Sequence, residues 1–106
     1  MPVRLVIVEA PEIALALAPV LAALRGSGSV ELATYGLTPE VGSAIAAGKL
    51  VFAIDEQPWL QGYLAVLQVG LTRRAGVAGM RIDTGAQVVG KAEIDGLAPL
   101  IARGSR

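Results

Sequence analysis

The chain alternates short apolar runs with helical stretches, and this alternation restricts its fold more than any other feature. Apolar runs occupy residues 3–8, 30–35 and 50–54, and helical stretches that open at Pro11, Thr38-Pro39 and Pro58 follow them. This order makes two successive βαβ units, which have parallel strands and right-handed crossovers. The pattern therefore predicts an α/β fold with a mostly parallel sheet.

The pattern changes after Gly79. Residues 80–83 and 86–89 look like two short extended pieces joined by Thr84-Gly85, and a terminal helix follows over about residues 93–102. We expect residues 1–106 to form a single α/β lobe, with a core over residues 1–78 and an extended tail with a terminal helix over residues 79–106. The tail is expected to sit on a sheet edge or to reach another domain.

The composition excludes several classes of function. The chain has no Cys and no His, which rules out thiol nucleophiles, Ser-His-Asp triads, thiolate zinc sites and imidazole bases. Adjacent residues leaving a strand point to opposite sides, so Asp55 and Glu56 do not form a carboxylate pair for catalysis. Nine basic and nine acidic residues balance to zero net charge, which is not typical of nucleic-acid binders. We expect no enzyme activity, no catalytic residues, no metal, no cofactor and no nucleic-acid partner.

The apolar amino-terminal stretch, residues 1–24, is interpreted as folded protein. Glu9 and Glu12 interrupt it, and its uninterrupted part, residues 13–24, is about half of a membrane span. We expect no membrane insertion, a cytoplasmic location for the chain as it stands, and a periplasmic one if it derives from a secreted parent. The Gly26-Ser27-Gly28 stretch follows a helix rather than a strand, so it indicates a turn and not a phosphate-binding loop.

A ligand site is expected beyond the carboxyl ends of the parallel strands, where open α/β sheets bind their ligands. Trp59, the single tryptophan, lies in the first turn of the third helix near these ends. Its ring can stack on a sugar or base, or pack against a neighbouring domain or a second copy of the chain. The candidate ligand-binding residues are Ala10, Tyr35, Gly36, Glu56, Gln57 and Trp59.

Three stretches carry a family resemblance: ATYGLTPE at residues 33–40, GKLVFAIDEQPWLQGYLAV at residues 48–66, and the closing residues 84–106. They resemble the carboxyl-terminal half of the periplasmic sugar-binding proteins of ABC transporters, the type I ribose-binding-like family. The resemblance implies a three-layer α/β/α sandwich with a mostly parallel sheet, which is half of that family's fold. A complete member has two lobes that close on a monosaccharide and deliver it to a membrane permease.

The resemblance also implies which residues would meet the sugar. The family places a polar residue after the first of these strands, an Asp after the second and a Gln after the third, and the aligned positions here hold Ala10, Gly36 and Glu56. Each lost hydrogen bond to a desolvated hydroxyl costs about 1–3 kcal/mol, whereas a micromolar site is worth about 8 kcal/mol in total. Binding of the family type by one copy alone is therefore not expected.

Two functions follow from these considerations. The first is a sugar-binding-protein-like half domain, related to the solute-binding component of an ABC sugar transporter. It would form its cleft for a monosaccharide or similar polar small molecule with a second copy, as a homodimer, or with a separate first-lobe protein. The alternative is a self-associating structural or interaction module that has lost sugar binding.

Overall fold

The computed structural model of the chain describes residues 3–24 and 30–106, in which strands and helices alternate. The elements are β1 (Leu5–Val8), α1 (Pro11–Ala23), β2 (Glu31–Tyr35), α2 (Pro39–Ala46), β3 (Phe52–Asp55), α3 (Pro58–Ala75), β4 (Gln87–Gly90) and α4 (Lys91–Ala102). The order predicted for the first three strands and helices is confirmed. The turn predicted at residues 26–28 lies outside the described residues.

The four strands form one mostly parallel sheet in the order β1-β2-β3-β4. β1, β2 and β3 pair in parallel, and β4 pairs antiparallel with β3 at the edge. The buried Thr34 lies opposite Val8 in the register, and its hydroxyl donates a hydrogen bond to the Val8 carbonyl at 2.9 Å. The predicted α/β fold with a mostly parallel sheet is thus confirmed.

The tail contains one strand rather than two. The second predicted extended piece, residues 86–89, corresponds to β4. This strand lies at the edge of the sheet, where the tail was expected to lie if it did not reach another domain. The first piece, residues 80–83, is not a strand because it lies along α3 instead of along the sheet. Its Met80 N–H donates to the Gln68 side chain of α3 at 2.7 Å, whereas in a sheet this N–H would donate to a neighbouring strand.

The hydrophobic core lies on one face of the sheet. Alternate residues of each strand point to the same face, so the core side chains of the sheet come from every second position. Helices α1, α2 and α4 cover this face. The buried core residues are Ala14, Leu32, Leu37, Val41, Ala44, Ile45, Leu50, Ala53, Val89, Ile94 and Ile101.

The opposite face of the sheet carries no helical layer within the described residues. Ile7 and Val88 on this face are 48% and 58% exposed, and Leu5 and Tyr35 are exposed as well. Helices α1, α2 and α4 lie together on the other face, and α3 leaves the sheet instead of packing on this one.

Helix α3 and the segment that returns from it, residues 76–86, form an arm that projects from the sheet; we call it the α3 arm. No residue of α3 is buried. The return segment lies along the helix, and the Thr72 hydroxyl donates to the Val77 carbonyl at 2.9 Å. The radius of gyration is 17.4 Å and the dimensions are 62 × 31 × 21 Å, whereas a compact chain of this length has a radius of about 13 Å.

A search of residues 3–24 and 30–106 for a helix able to cross the bilayer, judged by its length and its apolar character, finds none.

Helix α2 begins at a side-chain cap whose contribution to stability can be measured. The Thr38 hydroxyl accepts a hydrogen bond from the Val41 N–H at 3.2 Å, and Pro39 follows in the first turn. We expect Thr38→Ala to lower the free energy of unfolding by about 1 kcal/mol because this N–H loses its partner. Thr38→Ser keeps the acceptor and serves as the control in urea denaturation. Equal stability of the Ala and Ser variants would contradict the role of the cap.

Candidate functional site

The carboxyl ends of β1, β2 and β3 share one edge of the sheet, and an open cleft of about 560 Å³ lies there. We call it the strand-end cleft. It is lined by Ile7, Glu9, Tyr35 and Glu56. Parallel strands bring the residues at their carboxyl ends together, which is why three distant parts of the chain meet here. The volume lies within the range typical of small-molecule sites, about 300–1,000 Å³.

The structure brings only some of the candidate residues to this cleft. Tyr35 ends β2 and Glu56 directly follows β3, and both side chains line the cleft. Ile7 and Glu9 also line it, although sequence reasoning did not select them as candidates. A positional signal was available for Glu9, because it directly follows β1 as Glu56 directly follows β3.

The remaining candidates occupy structural positions beside the cleft. Ala10 is the N-cap residue of α1, and its carbonyl accepts a hydrogen bond from the Ala14 N–H at 3.1 Å. Gly36 follows Tyr35 with a φ of 82°, and its N–H donates to the Ile54 carbonyl at 2.9 Å. A Cβ at Gly36 would lie 2.9 Å from the Pro11 side chain, so only glycine lets β2 end this close to α1.

Asp55 holds the end of β3 in place and is not free for chemistry. Its side chain is fully buried, and one carboxylate oxygen accepts the Gln57 N–H at 2.9 Å. The other oxygen pairs with the guanidinium of Arg106 at 3.1 Å, and Arg106 also donates to the Gln87 side chain at 3.2 Å. The closing residue of the chain is thereby tied to β3 and β4. Sequence reasoning treated Asp55 as a strand-end acid and did not identify this role.

Gln57 connects the cleft to the α3 arm. Its backbone is left-handed, with a φ of 55°, and its side-chain amide donates to the Thr84 carbonyl at 2.8 Å. The Glu56 carbonyl accepts hydrogen bonds from the side chains of Gln61, at 2.6 Å, and Thr84, at 3.4 Å. The backbone around Glu56 is therefore held both by α3 and by the return segment, while its side chain remains exposed at the cleft.

Trp59 lies on the α3 arm rather than among the residues that line the cleft. Its ring stacks on that of Tyr63, with centroids 5.4 Å apart and planes inclined by 7°. The two rings are about half exposed, at 50% and 54%. The outer faces of the two stacked rings remain exposed at the base of the arm, and such a face can cover part of a ligand or of another polypeptide chain.

The strand-end cleft is acidic and rich in hydrogen-bond acceptors. Within the described part of the chain, the carboxylates of Glu9 and Glu56 form no ion pair. Carboxylates accept hydrogen bonds from hydroxyl groups, and the Tyr35 hydroxyl can donate or accept. The described residues also contain no group of three or more acids placed to hold a metal ion. The arrangement can accept several hydrogen bonds from a small polar molecule.

No protein-family model matches the chain, and no curated protein is significantly similar to it. A solved structure does match: a carbohydrate transporter from Acidothermus cellulolyticus 11B in complex with myo-inositol. The two are 33% identical, with a TM-score of 0.79. The alignment covers 97% of this chain but only 36% of the transporter's chain. The chain is thus similar, in sequence and in its α/β fold with a mostly parallel sheet, to one part of a sugar-transport protein, as expected for half of a periplasmic-binding-protein fold.

Proposed function

We propose that the chain is a solute-binding half domain of the kind used in ABC sugar transport, and that it binds a monosaccharide or a cyclitol in the strand-end cleft. The observation that carries the proposal is the position of this cleft, at the shared carboxyl ends of three parallel strands, in a chain similar to a transporter crystallised with myo-inositol. Open α/β sheets bind their ligands at these ends.

The side chains of the cleft suit a polyol. Glu9 and Glu56 offer carboxylate oxygens to hydroxyl groups, and Tyr35 adds a ring and a hydroxyl. Hydrogen bonds to charged acceptors are worth about 1.5–3 kcal/mol each. Glu56 stands where the ribose-binding-like family has Gln, so it still accepts from a hydroxyl group but no longer donates to one. This exchange favours ligands that present hydroxyl donors on the side facing Glu56.

A second lobe is part of the proposal. The strand-end cleft is open, and four residues from one sheet edge form one wall of a site. Tight sites cover most of a small ligand's surface, and the chain spans only 36% of the transporter it matches. We infer that a second copy of the chain or a separate lobe covers the ligand from the other side. We also propose that the protein is not an enzyme, since Asp55 is tied to Arg106 and the chain has no His or Cys.

A structural module without a ligand is the second candidate. The α3 arm favours it, because an 18-residue helix with no buried residue needs another polypeptide to cover it. This candidate predicts self-association and no response to sugars, whereas the first predicts both self-association or partner binding and a sugar response.

Titration calorimetry with myo-inositol and a panel of monosaccharides tests the proposed binding. We expect Glu56→Ala to weaken binding by roughly tenfold to a hundredfold, because one charge-assisted hydrogen bond is lost. Glu40→Ala is the matched control, since Glu40 is an exposed acid in the first turn of α2 and does not line the cleft. Fluorescence of Trp59 provides an independent signal.

Absence of heat and of a fluorescence change across the panel, in a sample whose oligomeric state has been measured, would leave the structural module as the function. If the Glu56→Ala and Glu40→Ala variants bound the sugar with equal affinity, the sugar would not bind in the strand-end cleft.

A further inference from the structure

The surface of α3 that points away from its return segment is apolar and exposed; we call it the free face. Residues spaced three and four apart lie on one side of a helix. The residues of the free face are Trp59, Gly62, Tyr63, Val66, Val69, Gly70 and Arg73. Val66, at its centre, is 75% exposed, and Val69 is 59% exposed. The other side of the helix faces residues 81–84 through Gln61, Leu64 and Gln68.

An uncovered helix of this composition is not stable by itself in water. Residues 57–72 include no charged side chain, although a solvated helix normally carries charges on its outer side. Isolated helices of about 15 residues are marginal even for good helix formers. The free face is therefore expected to be covered by protein.

The pattern along the free face is complementary to itself when two helices run antiparallel. With Val66 of the two copies in contact at the twofold axis, Gly62 faces the partner's Gly70. A Cβ at either glycine would meet nothing within 4 Å, so each leaves room on the helix surface for a neighbouring chain. The larger Val66 at the centre, flanked by a glycine on each side, allows the two helices to approach closely.

The charges at the two ends of α3 support the same arrangement. Glu56 precedes the helix, and Arg73 and Arg74 lie in its last turn, with no charge between them. An antiparallel pair places the arginines of one copy beside the Glu56 of the other. It also places Arg73 against the partner's Trp59, whose exposed ring can accept a cation–π contact. A parallel pair would instead bring like charges together at both ends.

We propose that the free face of α3 is a homodimer interface, in which the arms of two copies pack antiparallel about a twofold axis at Val66. The inference rests on the second copy that the proposed function allows, but not on sugar binding. Exchange of tails between copies is not needed, because β4 already pairs with β3 of its own chain. The dimer brings the partner's Arg74 to Glu56, and so to the rim of the strand-end cleft.

Sedimentation velocity without sugar, over a wide concentration range, tests the interface. We expect a dimer that Val66→Asp weakens by roughly a hundredfold or more, because two like charges would be buried at the axis. Val20→Asp on α1 is the matched control. It makes the same chemical change on another helix, at a residue that is 52% exposed. Circular dichroism shows whether each variant is folded.

A charge exchange provides a second measurement that does not depend on Val66. Arg74→Glu should weaken the dimer by roughly tenfold, and adding Glu56→Arg to it should restore most of the affinity. A wild-type chain that stays monomeric at high micromolar concentration would overturn the proposal and favour a separate lobe as the partner. A dimer insensitive to Val66→Asp, or a double variant no tighter than Arg74→Glu, would also overturn it. A dimer without a sugar response would leave the interface intact and contradict only the proposed ligand.

Discussion

Replacing Asp55 with Ala is expected to lower the free energy of unfolding by about 3 kcal/mol, a large part of the stability of a domain of this size. The carboxylate is fully buried and serves both the Gln57 N–H and the guanidinium of Arg106. Its removal leaves a charge with 17% side-chain exposure without its partner. The Arg106 side chain is not fully enclosed, so we expect a loss at the lower end of the range for buried ion pairs. Urea denaturation followed by circular dichroism measures the loss.

Two variants show whether the ion pair or the hydrogen bond is responsible. Asp55→Asn keeps an acceptor for the Gln57 N–H but removes the charge, and we expect about half of the loss. Asp95→Ala removes an exposed carboxylate from α4 and should change stability by no more than about 0.5 kcal/mol. If Asp55→Ala were as stable as Asp95→Ala, the anchoring of Arg106 to β3 would not contribute to the fold.

Replacing Gly36 with Ala is expected to lower the free energy of unfolding by about 2–4 kcal/mol. The φ of 82° costs an L-residue about 1–2 kcal/mol. The new Cβ would also lie 2.9 Å from Pro11 Cγ, and such overpacking costs about 1–3 kcal/mol more. Because Gly36 adjoins Tyr35 at the cleft, a shift of this turn should also weaken any ligand bound there. Thermal unfolding and titration calorimetry measure the two effects.

Gly48 offers a matched control for the backbone contribution. Its φ is 73°, but a Cβ there meets nothing within 4 Å. Gly48→Ala should therefore lower the free energy of unfolding only by the conformational contribution, about 1–2 kcal/mol. The difference between the two variants measures the contact of β2 with α1. Equal losses at Gly36 and Gly48 would show that Pro11 adjusts without cost.

The elements of the lobe were predictable because local patterns specify them. Apolar runs with turn residues between them indicate strands, and Thr38-Pro39 indicates the start of α2, where the Thr38 side chain does cap the helix. The position of the cleft was predictable as well, because parallel strands direct their carboxyl ends to one edge. Tyr35 and Glu56, which the sequence placed at those ends, do line it.

The position of α3 was not predictable from the same patterns. The sequence of an apolar helix does not specify which surface the helix will cover. In the structure it leaves the sheet, and the sheet residues Ile7 and Val88 stay exposed. The lack of charge over residues 57–72 favours burial of α3 against a polypeptide but does not specify which one.

The sequence by itself determined the order of strands and helices, the mostly parallel sheet and the acceptor-rich strand ends, since each depends on neighbouring residues or on the regular spacing of apolar side chains. Only the tertiary structure decided the role of Asp55, whose partner Arg106 lies 51 residues away in the chain. It also decided that α3 stands free of the sheet. These features depend on contacts between distant segments, and such contacts leave no local pattern in the sequence.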